Sequence, residues 1–182
     1  MKKLKAILLD RDGTLIEDKN YAYKIEDFEI LPGVIKGLRK LQKEFIFIII
    51  TNQSGIGRGY YTIKDFHNFN YHLIRLLNKE NIKILKTYFC PHLREDGCKC
   101  RKPNTKFIDE VIRDFNVNIK ESWMMGDHPS DIQFGINAGC RTVFLTTGHG
   151  DKHLDELKSL KIKPTIISNN FLEAAKEILR LD

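Results

Sequence analysis

The sequence predicts an α/β fold built on a single, doubly wound parallel sheet of the Rossmann type. Short apolar runs such as Leu4–Leu9 and Phe45–Thr51 are continuous, as in strands that are buried on both faces. Segments with apolar residues at helical spacing lie between such runs. Alternation of strand and helix along a chain favours parallel strands joined by right-handed crossovers. We therefore expect one sheet with helices on both of its faces.

The predicted elements follow one another along the whole chain. After the strand Leu4–Leu9, the segment Gly33–Glu44 has the apolar spacing of a helix, and β-branched residues are frequent in the strand Phe45–Thr51. The helix Thr62–Lys79 carries one apolar stripe, and Pro129 suits the first turn of a helix, where a missing N–H costs nothing. The remaining predicted elements are the strand Thr87–Cys90, the helix Asn104–Phe115, the strand Trp123–Gly126, the helix Pro129–Asn137, the strand Thr142–Thr146, the helix Lys152–Leu160, the strand Thr165–Ile167 and the helix Phe171–Leu179.

Length and composition indicate one ordinary folded domain spanning residues 1–182. A chain of 182 residues is expected to bury roughly 70% of its unfolded surface, so it needs no disulfides. Its hydrophobic content of 42% excludes a disordered chain, and its 30 basic and 24 acidic residues give a net charge of +6. This charge permits an anionic partner without requiring one. The apolar runs are too short for a signal peptide or a membrane helix, so we expect a cytoplasmic protein.

The first predicted strand ends in two acidic residues, Asp10 and Asp12. Ligands of doubly wound sheets bind at the carboxyl ends of the strands. Side chains two residues apart project to the same side of an extended chain, so both carboxylates can face one site, and Gly13 allows the backbone to turn sharply. Two carboxylates this close favour binding of a cation, and Mg²⁺ prefers such oxygen ligands. A solvated Asp-x-Asp-Gly turn is the alternative interpretation.

Three further polar segments follow later strands. Thr51 and Asn52 end the second strand, where a hydroxyl and an amide can bind an oxyanion, although both are also common in loops. Asp127 follows the fourth strand as a candidate metal ligand, and Asp131 can either orient a ligand or cap the next helix. Lys102 can neutralise charge on a carboxylate and a phosphoryl group, with a solvated surface lysine as the alternative.

Three of the four cysteines lie within eleven residues, which is typical of a metal site rather than of a disulfide framework. Cys90, His92, Cys98 and Cys100 have the spacing C-x-H-x5-C-x-C. Three thiolates and an imidazole can form a closed tetrahedral Zn²⁺ site, which is structural because it leaves no position for water. We therefore predict a zinc loop at residues 90–100. Incidental buried cysteines beside a surface histidine are the alternative, and Cys140 is expected to be a small buried hydrophobe.

The order of these motifs resembles that of the haloacid dehalogenase-type phosphatases, over roughly residues 4–147. Acids follow the first and fourth strands, a Thr-Asn pair ends the second, and a lysine precedes the next helix. The resemblance implies that Asp10 is the nucleophile that becomes a phospho-aspartate. It implies that Asp12 is the general acid and then the base, and that Thr51 and Lys102 stabilise the phosphoryl group.

The same resemblance implies a catalytic Mg²⁺ ion. Its ligands would be the carboxylates of Asp10 and Asp127 and the backbone carbonyl of Asp12, with Asp131 as the second acid of its motif. Physical chemistry supports these roles, because a phosphate and a carboxylate repel each other until cations neutralise their charge. An aspartyl-phosphate also divides one difficult displacement into two easier ones.

Within that superfamily, the motifs resemble two sister families, the D-glycero-D-manno-heptose 1,7-bisphosphate 7-phosphatases and the histidinol-phosphate phosphatases. The stretch Ser54–Gly59 and the loop Asp18–Tyr21 are more like the heptose enzymes. The five-residue gap between His92 and Cys98 is more like the histidinol group. His128 departs from both, because a lysine or arginine usually follows the preceding aspartate. Both families carry almost no cap domain, and this sequence leaves no room for one.

An uncapped site leaves recognition of the substrate to loops. Arg101 can bind an anion or sugar hydroxyls through its forked donors. For single loop residues such as Lys19 or Asn20, solvent exposure is the alternative. We also expect zinc to rigidify its loop and to aim Arg101 and Lys102 at the phosphate. The full set of substrate contacts implied by the resemblance is Arg11, Asp18, Lys19, Asn20, Tyr21, Asn52, Gln53, Ser54 and Arg101.

The leading hypothesis is a monomeric, Mg²⁺-dependent phosphatase that acts on a small phosphorylated metabolite, a heptose bisphosphate, with no membrane partner. A histidinol-phosphate phosphatase is the second. A polynucleotide 3′-phosphatase is the third, because those enzymes resemble the Thr51–Gly59 stretch, although they usually lack the zinc loop. A non-catalytic zinc protein that binds nucleic acid would also suit the net charge. The basic residues are spread from Lys2 to Arg180 without a dense patch, and the complete phosphatase motif set disfavours a nucleic-acid partner.

Overall fold

A computed structural model of the chain describes residues 3–182 and confirms the predicted fold class. Six strands form one sheet in the order β3-β2-β1-β4-β5-β6, and every pair of neighbours is parallel. This order is that of a doubly wound sheet, whose direction of winding reverses between β1 and β4. The strands are β1 (Ala6–Leu9), β2 (Ile46–Asn52), β3 (Ile84–Cys90), β4 (Trp123–Gly126), β5 (Arg141–Leu145) and β6 (Ile166–Ser168).

Helices connect the strands at the predicted places. One short helix, four residues long, was not predicted, and it follows β2 within a glycine-rich stretch. The helices are α1 (Val34–Leu41), α2 (Ser54–Gly57), α3 (Ile63–Lys79), α4 (Lys106–Phe115), α5 (Pro129–Ala138), α6 (Gly150–Ser159) and α7 (Phe171–Leu181). Two short 3₁₀ turns, Ile25–Asp27 and Ile119–Glu121, complete the elements. None of the helices within residues 3–182 combines the length and apolar character needed to cross a membrane.

The predicted strand at Thr87–Cys90 was too short, because β3 begins at Ile84. Lys86 and Thr87 interrupt its apolar run, since β3 lies at the edge of the sheet and part of its surface meets solvent. An apolar run therefore marks the central strands better than the edge strand.

The central strands are buried on both faces, as their continuous apolar runs predict. In β1, Ile7 and Leu9 belong to a core cluster with α1, α3 and α7, whereas Ala6 and Leu8 belong to a cluster with α4 and α5. Full burial of such a side chain stabilises the fold by about 1.5–3 kcal/mol. The sheet is therefore a rigid support for the loops at its edge.

The register of the central strands brings the predicted polar segments together. Leu9 of β1 pairs with Ile49 of β2 and with Met125 of β4. Because the three strands are parallel and in step, the residues that follow them emerge at the same edge of the sheet. Asp10, Thr51 and Asp127 therefore come from distant parts of the sequence to the carboxyl ends of neighbouring strands.

Candidate active site

Three aspartates form the centre of the site. Asp10 follows β1, Asp127 follows β4, and Asp131 lies in the first turn of α5. All three side chains are buried, and each offers a carboxylate oxygen within 4.8 Å of the others. Burial and the neighbouring Asp10 and Asp131 raise the pKa of Asp127 well above its usual value, and burial also raises the pKa of Asp10 despite the attraction of Lys102. The cluster therefore favours a cation that would relieve this repulsion.

Lys102 provides one positive charge to this cluster. Its Nζ lies 2.8 Å from Oδ1 of Asp10 and 2.6 Å from Oδ1 of Asp131, and it donates a 2.7 Å hydrogen bond to the carbonyl of Ile50. The residue is only 3% exposed. Burial would lower the pKa of Lys102, but the two carboxylates raise it, so the ammonium stays charged. The structure thus places Lys102 against Asp10, the predicted nucleophile.

Asn52 holds the backbone of Lys102 in place. Its Oδ1 accepts a 3.0 Å hydrogen bond from Lys102 N, and its Nδ2 donates a 3.3 Å bond to Lys102 O. Asn52 was predicted to contact substrate, but both polar atoms of its amide join the end of β2 to the segment that follows the cysteine cluster. Its role in this arrangement is to position Lys102.

Arg11, predicted to contact substrate, lines the cleft and is almost fully buried. Its side chain is 1% exposed, and its guanidinium lies over the rings of Phe66 and Phe69, 5.3 and 5.1 Å from their centroids. Nε and Nη2 donate to the two oxygens of Asp12 at 3.1 and 3.0 Å. The planar fork of arginine matches a carboxylate, so Arg11 fixes the orientation of Asp12 while it also lines the cleft.

Gln53 was also predicted to bind substrate; it lines the cleft, and its amide makes four hydrogen bonds to neighbouring side chains. Its Nε2 donates to Asp12 Oδ2 at 2.8 Å and to Thr51 Oγ1 at 3.0 Å. Its Oε1 accepts from Arg11 at 3.1 Å and from the hydroxyl of Tyr61 at 2.6 Å. Both polar atoms of the amide have hydrogen-bond partners within the protein. Gln53 thereby links Asp12, the predicted acid, to Thr51, which is predicted to bind the phosphoryl group. Tyr61 was missed by the sequence analysis, because no local pattern marks a buried tyrosine as a support for a catalytic residue.

Gly13 allows the aspartates to lie close together. Its φ is +74°, and a Cβ at this position would lie 2.1 Å from Oδ2 of Asp127. A loop after β5 closes over the same point: Thr147 Oγ1 donates to the Gly13 carbonyl at 2.8 Å, and His149 N donates to Asp127 Oδ2 at 3.1 Å. The sequence analysis did not identify this loop, since its link to Asp127 depends on tertiary packing.

The loop after β1 forms one wall of the cleft. Asp18, Asn20 and Tyr21 line a cavity of about 300 Å³ together with Ser54 and Arg101, as a substrate-binding role requires. Lys19 does not line this cavity, and its Nζ lies 3.5 Å from a Glu29 carboxylate oxygen. The structure therefore brings most of the predicted loop residues, but not Lys19, to the cleft.

His128 is at the rim of the cleft, where its side chain accepts the backbone N–H of Ser130 and caps α5. Partial desolvation and the neighbouring ring of His153 lower the pKa of His128 to about 4. The imidazole is therefore neutral at pH 7, unlike the lysine or arginine that is usual at this position in the two sister families.

The predicted zinc ligands lie together at the end of β3 and in the loop that follows. Cys100 Sγ lies 3.2 Å from Cys90 Sγ, 3.6 Å from Cys98 Sγ and 3.3 Å from His92 Nδ1. Tetrahedral zinc with Zn–S bonds of about 2.3 Å needs sulfur separations of about 3.8 Å, so the donors fit such an ion after a small expansion. Burial opposes ionisation of the thiols, yet hydrogen bonds from Arg101 N and from the other thiols lower the pKa of Cys98 to about 7. Cys140 is not part of this group of potential ligands and is buried in the core, as predicted.

The comparisons with known proteins agree with this site. The family model described as HAD-hydrolase-like matches residues 99–174, a range that includes Lys102 and Asp127. The D-glycero-alpha-D-manno-heptose-1,7-bisphosphate 7-phosphatase of Campylobacter jejuni is 44% identical over 144 residues, which cover 79% of this chain and 83% of that protein. The enzyme of the same name from Photorhabdus laumondii is 37% identical, with 97% of both chains covered.

A solved structure extends the likeness to three dimensions. The D,D-heptose 1,7-bisphosphate phosphatase from B. bronchiseptica, complexed with magnesium and phosphate, matches with a TM-score of 0.88 and 27% identity. The match covers 98% of this chain and 100% of that one. Identity above 35% over most of the chain, together with the shared fold, shows that this chain belongs to the haloacid dehalogenase-like hydrolases, in the family of the heptose-1,7-bisphosphate 7-phosphatases.

Proposed function

We propose that this chain is a Mg²⁺-dependent phosphomonoesterase that removes one phosphate from a heptose 1,7-bisphosphate through a phospho-aspartate on Asp10. The observation that carries the proposal is the buried cluster of Asp10, Asp127 and Asp131 around Lys102 at the switch point of the sheet. The names of the relatives support the substrate.

The proposed first step is attack by a carboxylate oxygen of Asp10 on the phosphorus. The bond from phosphorus to the sugar oxygen breaks, and Asp12 donates a proton to that oxygen. Arg11 and Gln53 hold Asp12 in one orientation for this transfer. The ammonium of Lys102 beside Asp10 reduces the repulsion between carboxylate and phosphate.

The second step is hydrolysis of the aspartyl-phosphate. Asp12, now ionised, accepts a proton from a water molecule, whose oxygen attacks the phosphorus and releases Asp10. The hydroxyl of Thr51, a residue that is 2% exposed, donates a hydrogen bond to a phosphoryl oxygen. The amide of Gln53 donates to the same hydroxyl oxygen and holds it in place.

The donor set fits a hard divalent cation. Asp10, Asp127 and the backbone carbonyl of Asp12 would hold Mg²⁺, which when bound supplies charge neutralisation for the phosphoryl group. Asp131 is not needed as a direct ligand, because its Oδ1 lies beside Lys102 and its Oδ2 accepts the N–H of His128 at 3.1 Å. We infer that Asp131 holds Lys102 in place.

The cysteine cluster is proposed to hold a structural Zn²⁺ ion. The three thiols and one imidazole are the soft and borderline donors that zinc prefers, and four of them leave no position for substrate. The nearby link from Asn104 Nδ2 to the Cys98 carbonyl, 2.8 Å long, ties the loop to the segment after Lys102. Zinc would thereby act on catalysis indirectly, through the position of Lys102.

A heptose bisphosphate fits the charge of the cleft better than histidinol phosphate does. Arg94 and Arg101 of the loop around the cysteine cluster line a cavity of about 430 Å³ beside Lys102. Two arginines suit the second phosphate of a bisphosphate, whereas they would repel the ammonium group of histidinol. We further propose that the enzyme is a cytoplasmic monomer whose partner is this small metabolite and not a nucleic acid.

Turnover measured side by side on heptose 1,7-bisphosphate, histidinol phosphate and a 3′-phosphorylated oligonucleotide tests this proposal. We expect the heptose bisphosphate to give the highest kcat/KM and D10N to lose turnover by about 10⁴-fold or more. Equal and slow rates on all three would refute the substrate. Full activity of D10N would refute the phospho-aspartate.

A further inference from the structure

A second group of potential metal ligands lies at the rim of the cleft, outside the aspartates and the cysteine cluster. It consists of His128, which precedes α5, and of His153 and Glu156 on α6. His153 and Glu156 are three residues apart on the helix and therefore share a face. Each of the three offers a nitrogen or oxygen atom within 4.8 Å of the others.

The two imidazoles are held next to each other. Their ring centroids are 4.5 Å apart with the planes inclined by 63°. His153 Nδ1 lies 2.8 Å from Oε2 of Glu156, and His128 Nδ1 lies 2.9 Å from Oγ of Ser130. To free Nε2 for a metal, His128 would donate an Nδ1 proton to Ser130 Oγ in place of accepting the Ser130 N–H. The 2.8 Å between His153 Nδ1 and Glu156 Oε2 is the spacing of two adjacent ligands of one ion at bond lengths of about 2.0–2.1 Å.

The position of the group connects it to the active site. His128 and His153 line a cavity of about 150 Å³ that Asp10 and Asp127 also line. His128 and Glu156 also line the larger cavity beside Arg94 and Arg101. An ion held by three protein ligands keeps an open position, so an anion in these cavities could coordinate it.

We propose that His128, His153 and Glu156 form a site for a divalent transition-metal ion that faces the active cleft. Imidazole suits Zn²⁺, Ni²⁺ and Cu²⁺, whereas Mg²⁺ prefers oxygen ligands. The site would therefore select a different ion from the three aspartates. It differs from the cysteine cluster because it lacks thiolates and is not closed. The ion would add a positive charge to the cleft beside the two imidazole rings.

Ni²⁺ titration by calorimetry tests the site in the full-length protein, with its native metal content retained and saturating Mg²⁺ present. We expect one Ni²⁺ to bind the wild type, H153N to lose this binding, and E156Q to weaken it by about 10–100-fold. D155N is the matched control, because Asp155 is the neighbouring acid on α6 and forms an ion pair with Lys158. It should bind Ni²⁺ like the wild type.

Cu²⁺ added under the same conditions provides a spectroscopic check. Its paramagnetic resonance spectrum should show coupling to two imidazole nitrogens in the wild type and to one in H153N. The proposal would be overturned if the wild type did not bind Ni²⁺. It would also be overturned if H153N, with unchanged thermal stability, bound Ni²⁺ as tightly as the wild type does. Because these readouts need no turnover, the site and the proposed phosphatase activity can fail independently.

Discussion

The ammonium nitrogen of Lys102 lies 2.8 Å from a carboxylate oxygen of Asp10, although 92 positions separate the two residues in the sequence. Asp10 reaches this point on a central strand, whereas Lys102 reaches it on a loop fixed by Asn52 and by the cysteine cluster. The same ammonium also neutralises Asp131. Nucleophile, cation and supporting acid thus form one buried unit, and changes to any of them should affect both activity and stability.

K102M is expected to lower both kcat and the free energy of unfolding. Asp10 and Asp131 would remain buried without their cation, which typically costs about 3–5 kcal/mol. Turnover should fall by about 10²–10³-fold, because the charge that favours attack on phosphate is lost. Urea denaturation without added metal and steady-state kinetics measure the two effects. K106M, at an exposed lysine on α4, should change neither. A K102M enzyme with normal turnover would contradict the proposed role.

Q53L should separate a positioning role from a substrate contact. Loss of the hydrogen bonds to Asp12 and Thr51 is expected to reduce kcat by about 10–100-fold with little change in KM. Y61F removes the hydrogen bond from the Tyr61 hydroxyl to Gln53 Oε1. It should lower the free energy of unfolding by about 1 kcal/mol and reduce kcat by less than Q53L does. A raised KM with unchanged kcat in Q53L would instead support the substrate contact that the sequence analysis predicted.

The sequence predicts where the proposed reacting groups lie better than it predicts the side chains that support them. Asp10, Thr51 and Asp127 could be predicted because each follows an apolar run that ends at the active edge of the sheet. The direction of the Arg11 side chain could not, since it depends on Phe66 and Phe69 more than fifty residues later. The fold class could be predicted from the same apolar runs. The start of the edge strand β3 was predicted three residues too late, because its partly exposed residues interrupt the apolar pattern.

The contribution of Asp127 and Asp10 to the stability of the protein without Mg²⁺ should fall as the pH rises from about 4 towards neutrality. The pKa of Asp127 is raised in the folded state, mainly by burial, and that of Asp10 is raised in the same direction. Between the unfolded and folded pKa values, the folded protein binds more protons than the unfolded chain, so the free energy of unfolding decreases with pH. Thermal melts in a chelator that does not strip the cysteine cluster would show this slope. Saturating Mg²⁺ should reduce it. His128, whose pKa is lowered to about 4, contributes with the opposite sign below about pH 6.5. The slope is therefore read in H128N, where a stability that rises with pH would contradict the raised pKa values.

Removal of zinc from the folded enzyme should lower kcat while Asp10 is intact. C98S removes one thiolate, which should weaken zinc binding and loosen the loop that carries Lys102. C140S is the matched control, because Cys140 is a cysteine in the core outside the cluster. Metal analysis, circular dichroism and kcat of both variants check the expectation. Protons compete with zinc for the thiolates, and burial raises the pKa of the Cys90 and Cys100 thiols, so zinc should also be released more readily as the pH falls. A zinc-free, folded enzyme with full turnover would refute the link between this loop and catalysis.

G13A and G59A distinguish backbone strain from crowding at the metal site. Both glycines have a positive φ, +74° and +72°, so an alanine at either should cost about 1–2 kcal/mol of stability. A Cβ at Gly59 meets no atom within 4 Å, whereas a Cβ at Gly13 would lie 2.1 Å from Oδ2 of Asp127. Asp127 must move in G13A, so Mg²⁺ affinity and kcat should both fall by at least about tenfold, a change of about 1.4 kcal/mol. G59A should retain the Mg²⁺ affinity of the wild type in a calorimetric titration. Equal Mg²⁺ affinities in the two variants would mean that the approach of Asp127 to the Gly13 backbone is not needed for metal binding.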